Sequence, residues 1–224
     1  LMVDGSADVV LSSQSSAAEP QGSASLASRP PILHDVKPQV MLSPSGQYLL
    51  WAGDGQTDSV VNYDLRQNAV AWRKEMTATV RFVTFSPCGK FAFGGGADGK
   101  IFAAKTDSGD VVWQWSTKAD SSASRVAGER RLSQTVLHGS EVAILCASIS
   151  KDGKHLVAGL NSPERNIVKL DAKTGKLIWS TSLDAGVHTL SISCSGDIVA
   201  GGDDRKITKL SASDGHVLWS QKRA

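Results

Sequence analysis

Four tryptophans close the same short phrase in this chain: Asn68-Ala-Val-Ala-Trp72, Gly109-Asp-Val-Val-Trp113, Gly175-Lys-Leu-Ile-Trp179 and Gly215-His-Val-Leu-Trp219. A second phrase precedes each: Ser43-Pro-Ser-Gly46, Ser86-Pro-Cys-Gly89, Ser150-Lys-Asp-Gly153 and Ser193-Cys-Ser-Gly196. The tryptophans lie 41, 66 and 40 positions apart, and the glycines of the second phrase 43, 64 and 43. Two independent markers therefore keep one period of about 42 residues, broken once by an insertion of about 24. Self-similarity at this length restricts the chain to repeat architectures.

Within each period, short apolar runs alternate with turn residues. In the second period Val80 to Phe85 reads as a strand and Ser-Pro-Cys-Gly89 as a turn. Lys90 to Phe93 follows as a strand, then Gly94-Gly-Gly-Ala-Asp-Gly99 as a turn. Lys100 to Lys105 is the third strand, Thr-Asp-Ser-Gly109 the next turn, and Val111 to Trp115 the fourth strand. The fourth period repeats the layout with Thr189 to Ser193, Ile198 to Ala200, Lys206 to Leu210 and Val217 to Ser220. Short runs rich in β-branched and aromatic residues, split by Gly, Asp and Ser, form antiparallel meanders. No helical periodicity competes with them.

One four-stranded sheet cannot bury both of its faces. Repeated sheets solve this by packing face to face around an axis, as the blades of a propeller do. The expected fold class is therefore all-β: a β-propeller of about four four-stranded antiparallel blades, near 38–77, 78–117, 142–183 and 186–224. The repeated Trp is expected to act as a wedge between adjacent blades. Composition agrees, with 21 Gly against 7 Pro, and 6 Trp against 2 Tyr and 5 Phe.

Composition also sets limits on function. The net charge of +2 leaves no footprint for nucleic acid or an acidic membrane. No apolar run reaches the roughly 18 residues of a membrane-spanning helix. Cys88, Cys146 and Cys194 are widely spaced, which argues against a disulfide framework or a metal site and for a reducing, cytoplasmic compartment. No charged segment followed by an apolar run comes after Leu1, so no signal peptide is expected. A start on Leu points to processing or to an excerpt from a longer chain.

The phrases Ser86-Pro-Cys-Gly-Lys90 and Ser150-Lys-Asp-Gly-Lys154, each followed by a Gly/Asp turn, resemble WD-repeat blades. Leu170-Asp-Ala-Lys-Thr-Gly-Lys-Leu-Ile-Trp179 resembles the blade ending of pyrroloquinoline-quinone-type repeats. The resemblance covers about residues 36–224 and implies propeller architecture. The Trp-Asp dipeptide of the WD family is replaced by Tyr63-Asp64, Ala104-Lys105, Leu170-Asp171 and Leu210-Ser211, and the family's Gly-His dipeptide before each blade is missing. The buried polar tetrad of those blades is therefore not carried over.

The chain divides into an N-terminal part, 1–35, and the blades, 36–224, with the insertion at about 118–141. Residues 1–11 read as strand-like, because Leu1-Met-Val-Asp-Gly-Ser-Ala-Asp-Val-Val-Leu11 can be laid on Phe91-Ala-Phe-Gly-Gly-Gly-Ala-Asp-Gly-Lys-Ile101. Ser12 to Pro31 reads as a Ser/Ala-rich linker. Propellers mostly have four to eight blades. Four blades thus form a small ring, part of a larger propeller, or an assembly in which another chain supplies the missing blades.

The insertion is the most individual segment. Long loops on rigid scaffolds often carry binding, and Arg125, Arg130, Arg131 and Leu132 are the candidate partner contacts. Arg130-Arg131-Leu132-Ser133 resembles a basophilic kinase target, which makes Ser133 a candidate phosphosite. Asp54-Gly55, Asp98-Gly99 and Asp203-Asp204 lack the alternating carboxylates of a calcium loop and read as hairpin turns. The histidines at 34, 138, 155, 188 and 216 have no metal spacing; His188 precedes an inner strand and reads as a structural residue, with lining a channel as the alternative. No nucleophile-elbow phrase is present. The expectation is a non-catalytic interaction scaffold without cofactors, in a multi-subunit complex or with the rest of a propeller. The competing reading is a small-ligand-binding or quinone-cofactor propeller enzyme, against which stands the lack of a vicinal Cys pair.

Overall fold

A computed structural model describes residues 39–52, 58–118, 142–162 and 164–222. Among the described residues, sixteen strands form four sheets, each an antiparallel meander in chain order. The first blade comprises β1 (Gln39–Leu42), β2 (Tyr48–Ala52), β3 (Ser59–Asp64) and β4 (Ala69–Glu75). The second comprises β5 (Val80–Phe85), β6 (Phe91–Gly96), β7 (Lys100–Lys105) and β8 (Val111–Ser116). The third comprises β9 (Ile144–Ile149), β10 (His155–Leu160), β11 (Ile167–Asp171) and β12 (Leu177–Thr181). The fourth comprises β13 (Val187–Ile192), β14 (Ile198–Gly202), β15 (Lys206–Leu210) and β16 (Val217–Lys222). The fold is an all-β propeller of four-stranded blades, as the period predicts.

The Ser-x-x-Gly phrase closes the first turn of each blade for a local reason. In the first three blades the Ser hydroxyl accepts the backbone N–H that opens the second strand: Tyr48 N on Ser43 Oγ at 2.9 Å, Phe91 N on Ser86 Oγ at 3.0 Å, and His155 N on Ser150 Oγ at 3.0 Å. Gly46, Gly89 and Gly153 take φ of 70, 71 and 72°, the left-handed region that favours glycine. The Asp side chains mostly serve turns as well. Asp98 Oδ1 accepts Lys100 N at 3.1 Å, and Asp204 Oδ1 accepts Lys206 N at 2.9 Å. Asp64 and Asp171, which stand where WD repeats have their Asp, each accept two backbone N–H groups of the following turn.

One turn differs from expectation. Gly94-Gly95-Gly96 belongs to β6, and the turn begins only at Ala97. Packing decides this: a Cβ on Gly94 would lie 2.8 Å from the Phe102 ring, and one on Gly95 2.7 Å from the Phe82 ring. The glycines are therefore where two aromatic rings press onto the strand.

Buried side chains form a separate layer at each joint between successive blades. Leu50, Val60 and Trp72 of the first blade meet Ala92, Phe102 and Ala104 of the second. Phe93, Ile101 and Ala103 then meet Leu156, Ala158 and Val168 of the third. Val157 and Ile167 meet Ile198, Ala200 and Leu210 of the fourth. Inner strands pack in the order β1, β5, β9, β13, and no comparable packing joins β13 to β1 among the described residues.

Candidate functional site

Two features of this frame are candidates for function: the axial cavity and the blade faces. The cavity measures about 500 Å³ and is walled by the inner strands β1, β5, β9 and β13. Its shape depends on bulges. Arg81, Leu145 and His188 are each an extra residue where their inner strand pairs with the next one. A bulge re-aims a side chain, and all three line the cavity. His188, for which the sequence offers a channel only as the alternative to a structural role, is one of them; its Nε2 lies 3.0 Å from Asp203 Oδ1. Arg81 Nε is buried with no hydrogen-bond partner. Sequence alone gives no sign of Arg81, because a bulge exists only once strands pair.

Cys146 also lines the cavity. Burial pushes its thiol up to about 12, and it donates to Val187 O at 3.5 Å. At neutral pH it is a thiol, and the thiolate is the nucleophile. Exposed Cys88 is the opposite case: the Ser86 hydroxyl, 3.4 Å from its sulfur, holds it below the usual thiol range. Brief iodoacetamide treatment of the native chain at pH 8 is therefore expected to label Cys88, and to label Cys146 only after denaturation. Peptide mass spectrometry reads this directly; equal native labelling of both would contradict the half-buried, protonated state of Cys146.

The blade faces repeat one joint three times. Each wedge Trp lies just beyond a bulge in the pairing of the third and fourth strands. Its indole N–H donates to a carbonyl in the last turn of the next blade: Trp72 to Thr106 O at 2.8 Å, Trp113 to Ala172 O at 3.0 Å, Trp179 to Ala212 O at 3.4 Å. Three residues beyond each carbonyl sits a left-handed glycine, Gly109, Gly175 or Gly215, with φ of 75, 71 and 73°. A Cβ on any of these would fall 2.7 Å from the Trp ring. The Trp and Gly of the repeated phrase thus meet across blades. A second donor reaches the same carbonyl in two joints: Asn62 Nδ2 to Thr106 O at 2.7 Å, and Lys169 Nζ to Ala212 O at 2.6 Å. Burial holds the Lys169 ammonium below the usual lysine range.

Among the described residues, nothing packs on the same forward face of the fourth blade. Val60, Ile101 and Ile167 hold one position in the first three blades and are each 0% exposed; Ile207 holds it in the fourth and is 49% exposed. Trp72 is 9% exposed and Trp219 47%. Lys209, the counterpart of Lys169, turns to Asp197 Oδ2 at 3.0 Å. The predicted partner contacts Arg125, Arg130, Arg131 and Leu132, the phosphosite Ser133 and the strand-like segment 1–11 lie outside the described residues, as does Asp54-Gly55. Among the described residues, no group of three or more His, Cys, Asp or Glu is gathered as a metal site, and no helix is long and apolar enough to cross a membrane.

Comparison with known proteins agrees with this geometry. A family model described as outer membrane protein assembly factor BamB, of quinone-type repeats, matches residues 145–224, the third and fourth blades. WD repeat-containing protein 18 of Danio rerio is 29% identical over 136 residues, which cover 56% of this chain and 28% of that relative. The chain is a β-propeller repeat protein, and its blades are similar to WD and quinone-type repeats. The match spans little more than a quarter of the relative's length. The two likenesses are compatible in one propeller, since the wedge joint rests on the repeated Trp and Gly and uses no Trp-Asp dipeptide.

Proposed function

We propose that this propeller is a non-catalytic protein-interaction scaffold that acts as a subunit of a larger assembly. One observation carries the reading: the forward face of the fourth blade, built like three faces that are sealed, stands open with Ile207 and Trp219 exposed. Apolar surface of this kind marks an interaction site. The first blade adds Val40, Leu42 and Trp51 on its outer face, each at least 40% exposed. The resemblance to a WD repeat-containing protein supports a propeller used for interaction, and three unpaired cysteines support a reducing compartment. The mechanism is binding through rigid faces whose side chains are fixed by the sheets behind them.

The mass of the native assembly that contains the chain tests this. The expected result is a species well above the 23.6 kDa of the chain, held together at physiological salt because the contact is apolar. A stable species of a single copy, with no other chain in it, would overturn the subunit reading.

A further inference from the structure

The open faces of the first and fourth blades are not complementary, although a simple repeat would make them so. In the second, third and fourth blades, the face that receives the preceding blade carries a small residue on its second strand: Gly94, Ala158 and Ala200. Ala158 and Ala200 are buried in the joints, and a Cβ on Gly94 would touch Val60 of the preceding blade at 3.5 Å. The same position in the first blade is Trp51, which pairs with Val61 and is 42% exposed. The second difference lies in the turn that seats the incoming Trp. Gly109, Gly175 and Gly215 have as their counterpart Asn68, held in the same left-handed region at φ 52°. Its Cβ occupies the space that a wedge ring fills in the other joints. The Tyr63 hydroxyl, donating to Asn68 Oδ1 at 2.9 Å, fixes its side chain there. Two independent substitutions therefore close the one seat that a fourth blade of this chain would find on another copy.

We propose that the forward face of the fourth blade, formed by Val199, Ile207, Lys209 and Trp219, docks a propeller blade of different sequence, and that Trp51 and Asn68 exclude a second copy of this chain from that place. The required occupant is defined by the three internal joints. It has a small residue on its second strand, a glycine with positive φ in its last turn, and, three residues before that glycine, a free carbonyl. That carbonyl receives the Trp219 indole N–H, and also Lys209 Nζ once it leaves Asp197, as Lys169 serves Ala212 O in the third joint. Without the exclusion, a head-to-tail face would pair with itself, and heterologous contacts of that kind form rings or filaments. The proposal rests on the scaffold reading and adds which partner fits and which does not.

The seat can be opened by design. The full chain carrying Trp51→Ala and Asn68→Gly has both features of a receiving blade, and both positions are exposed enough to change without disturbing the core. Light-scattering mass at micromolar concentration is expected to give one copy for the unaltered chain and two or more for the seat-opened chain. Adding Trp219→Ala to the seat-opened chain is expected to restore one copy. That triple variant keeps an open seat and lacks the wedge, so mixed with unaltered chain it is expected to form a one-to-one pair. Thermal unfolding verifies that each variant is folded. The exclusion is overturned if the unaltered chain self-associates in a way that Trp219→Ala abolishes. The docking assignment is overturned if folded seat-opened chain stays single and the triple variant fails to pair. Either failure leaves the native-assembly mass as an independent test of the scaffold reading.

Discussion

Replacing Trp72 by alanine is expected to destabilise the protein by about 3–5 kcal/mol, whereas Trp219→Ala should change stability by no more than about 0.5 kcal/mol. The two side chains occupy equivalent places in their blades and end the same sequence phrase. Trp72 is almost fully covered, packs against the Gly109 turn and donates to Thr106 O. Its removal opens a cavity between two rigid sheets that cannot collapse, because strands β3 and β7 are pinned by their ladders. Asn62 still donates to Thr106 O, so the carbonyl keeps one partner and the loss is chiefly packing. Trp219 has solvent on the face where Trp72 has a blade. In a domain of this size the Trp72 variant should unfold on the order of 10 °C lower. Calorimetry of both variants beside the unaltered chain is the measurement. Equal losses at the two positions would mean that the tryptophans are not wedges.

Much of this fold is legible in the sequence because its determinants are local. A Ser hydroxyl that receives the N–H five residues on, and a glycine at positive φ, need only their own turn, so Ser-x-x-Gly marks the first three blades, while the fourth keeps the phrase with the left-handed glycine alone. The bounds of β5, β7 and β15 follow from apolar runs between such turns. The glycines of β6 were beyond local reasoning, since the rings of Phe82 and Phe102, on neighbouring strands, decide that they are strand. The joints occupy a middle position. The phrase that begins with Gly109, Gly175 and Gly215 begins with Asn68 in the first blade, and that departure is plain in the sequence. Its meaning is not, because the repeat alone does not say that each glycine lies under the tryptophan of the preceding blade. Trp51 is hidden for the same reason: it becomes notable only when aligned by strand register with Gly94, Ala158 and Ala200. Arg81 and His188 reach the axial cavity through bulges, which arise from pairing rather than from residue type.

Gly175→Ala is expected to cost about 2–5 kcal/mol, although it adds only one methyl group, at a buried glycine in a surface turn. Two terms act together. An alanine in the left-handed region costs roughly 1–2 kcal/mol, and forcing a methyl group into a filled joint costs roughly 1–3 kcal/mol. At Gly175 the new Cβ would stand 2.7 Å from two carbons of the Trp113 ring, which is also held by its bond to Ala172 O and by Phe93, whose ring centroid is 6.0 Å away. The ring is held on two sides, so either it gives up these contacts or the joint shifts. Asn68→Gly is the matched control. It keeps φ near 52° with a residue suited to that region, gives up one exposed bond to Tyr63, and presses on no ring. Its effect should stay within about 0.5 kcal/mol. Denaturant unfolding of the two variants separates backbone strain from the joint. If Gly175→Ala were as mild as Asn68→Gly, the third blade would not need its glycine, and Asn68 would no longer distinguish a closed seat from an open one.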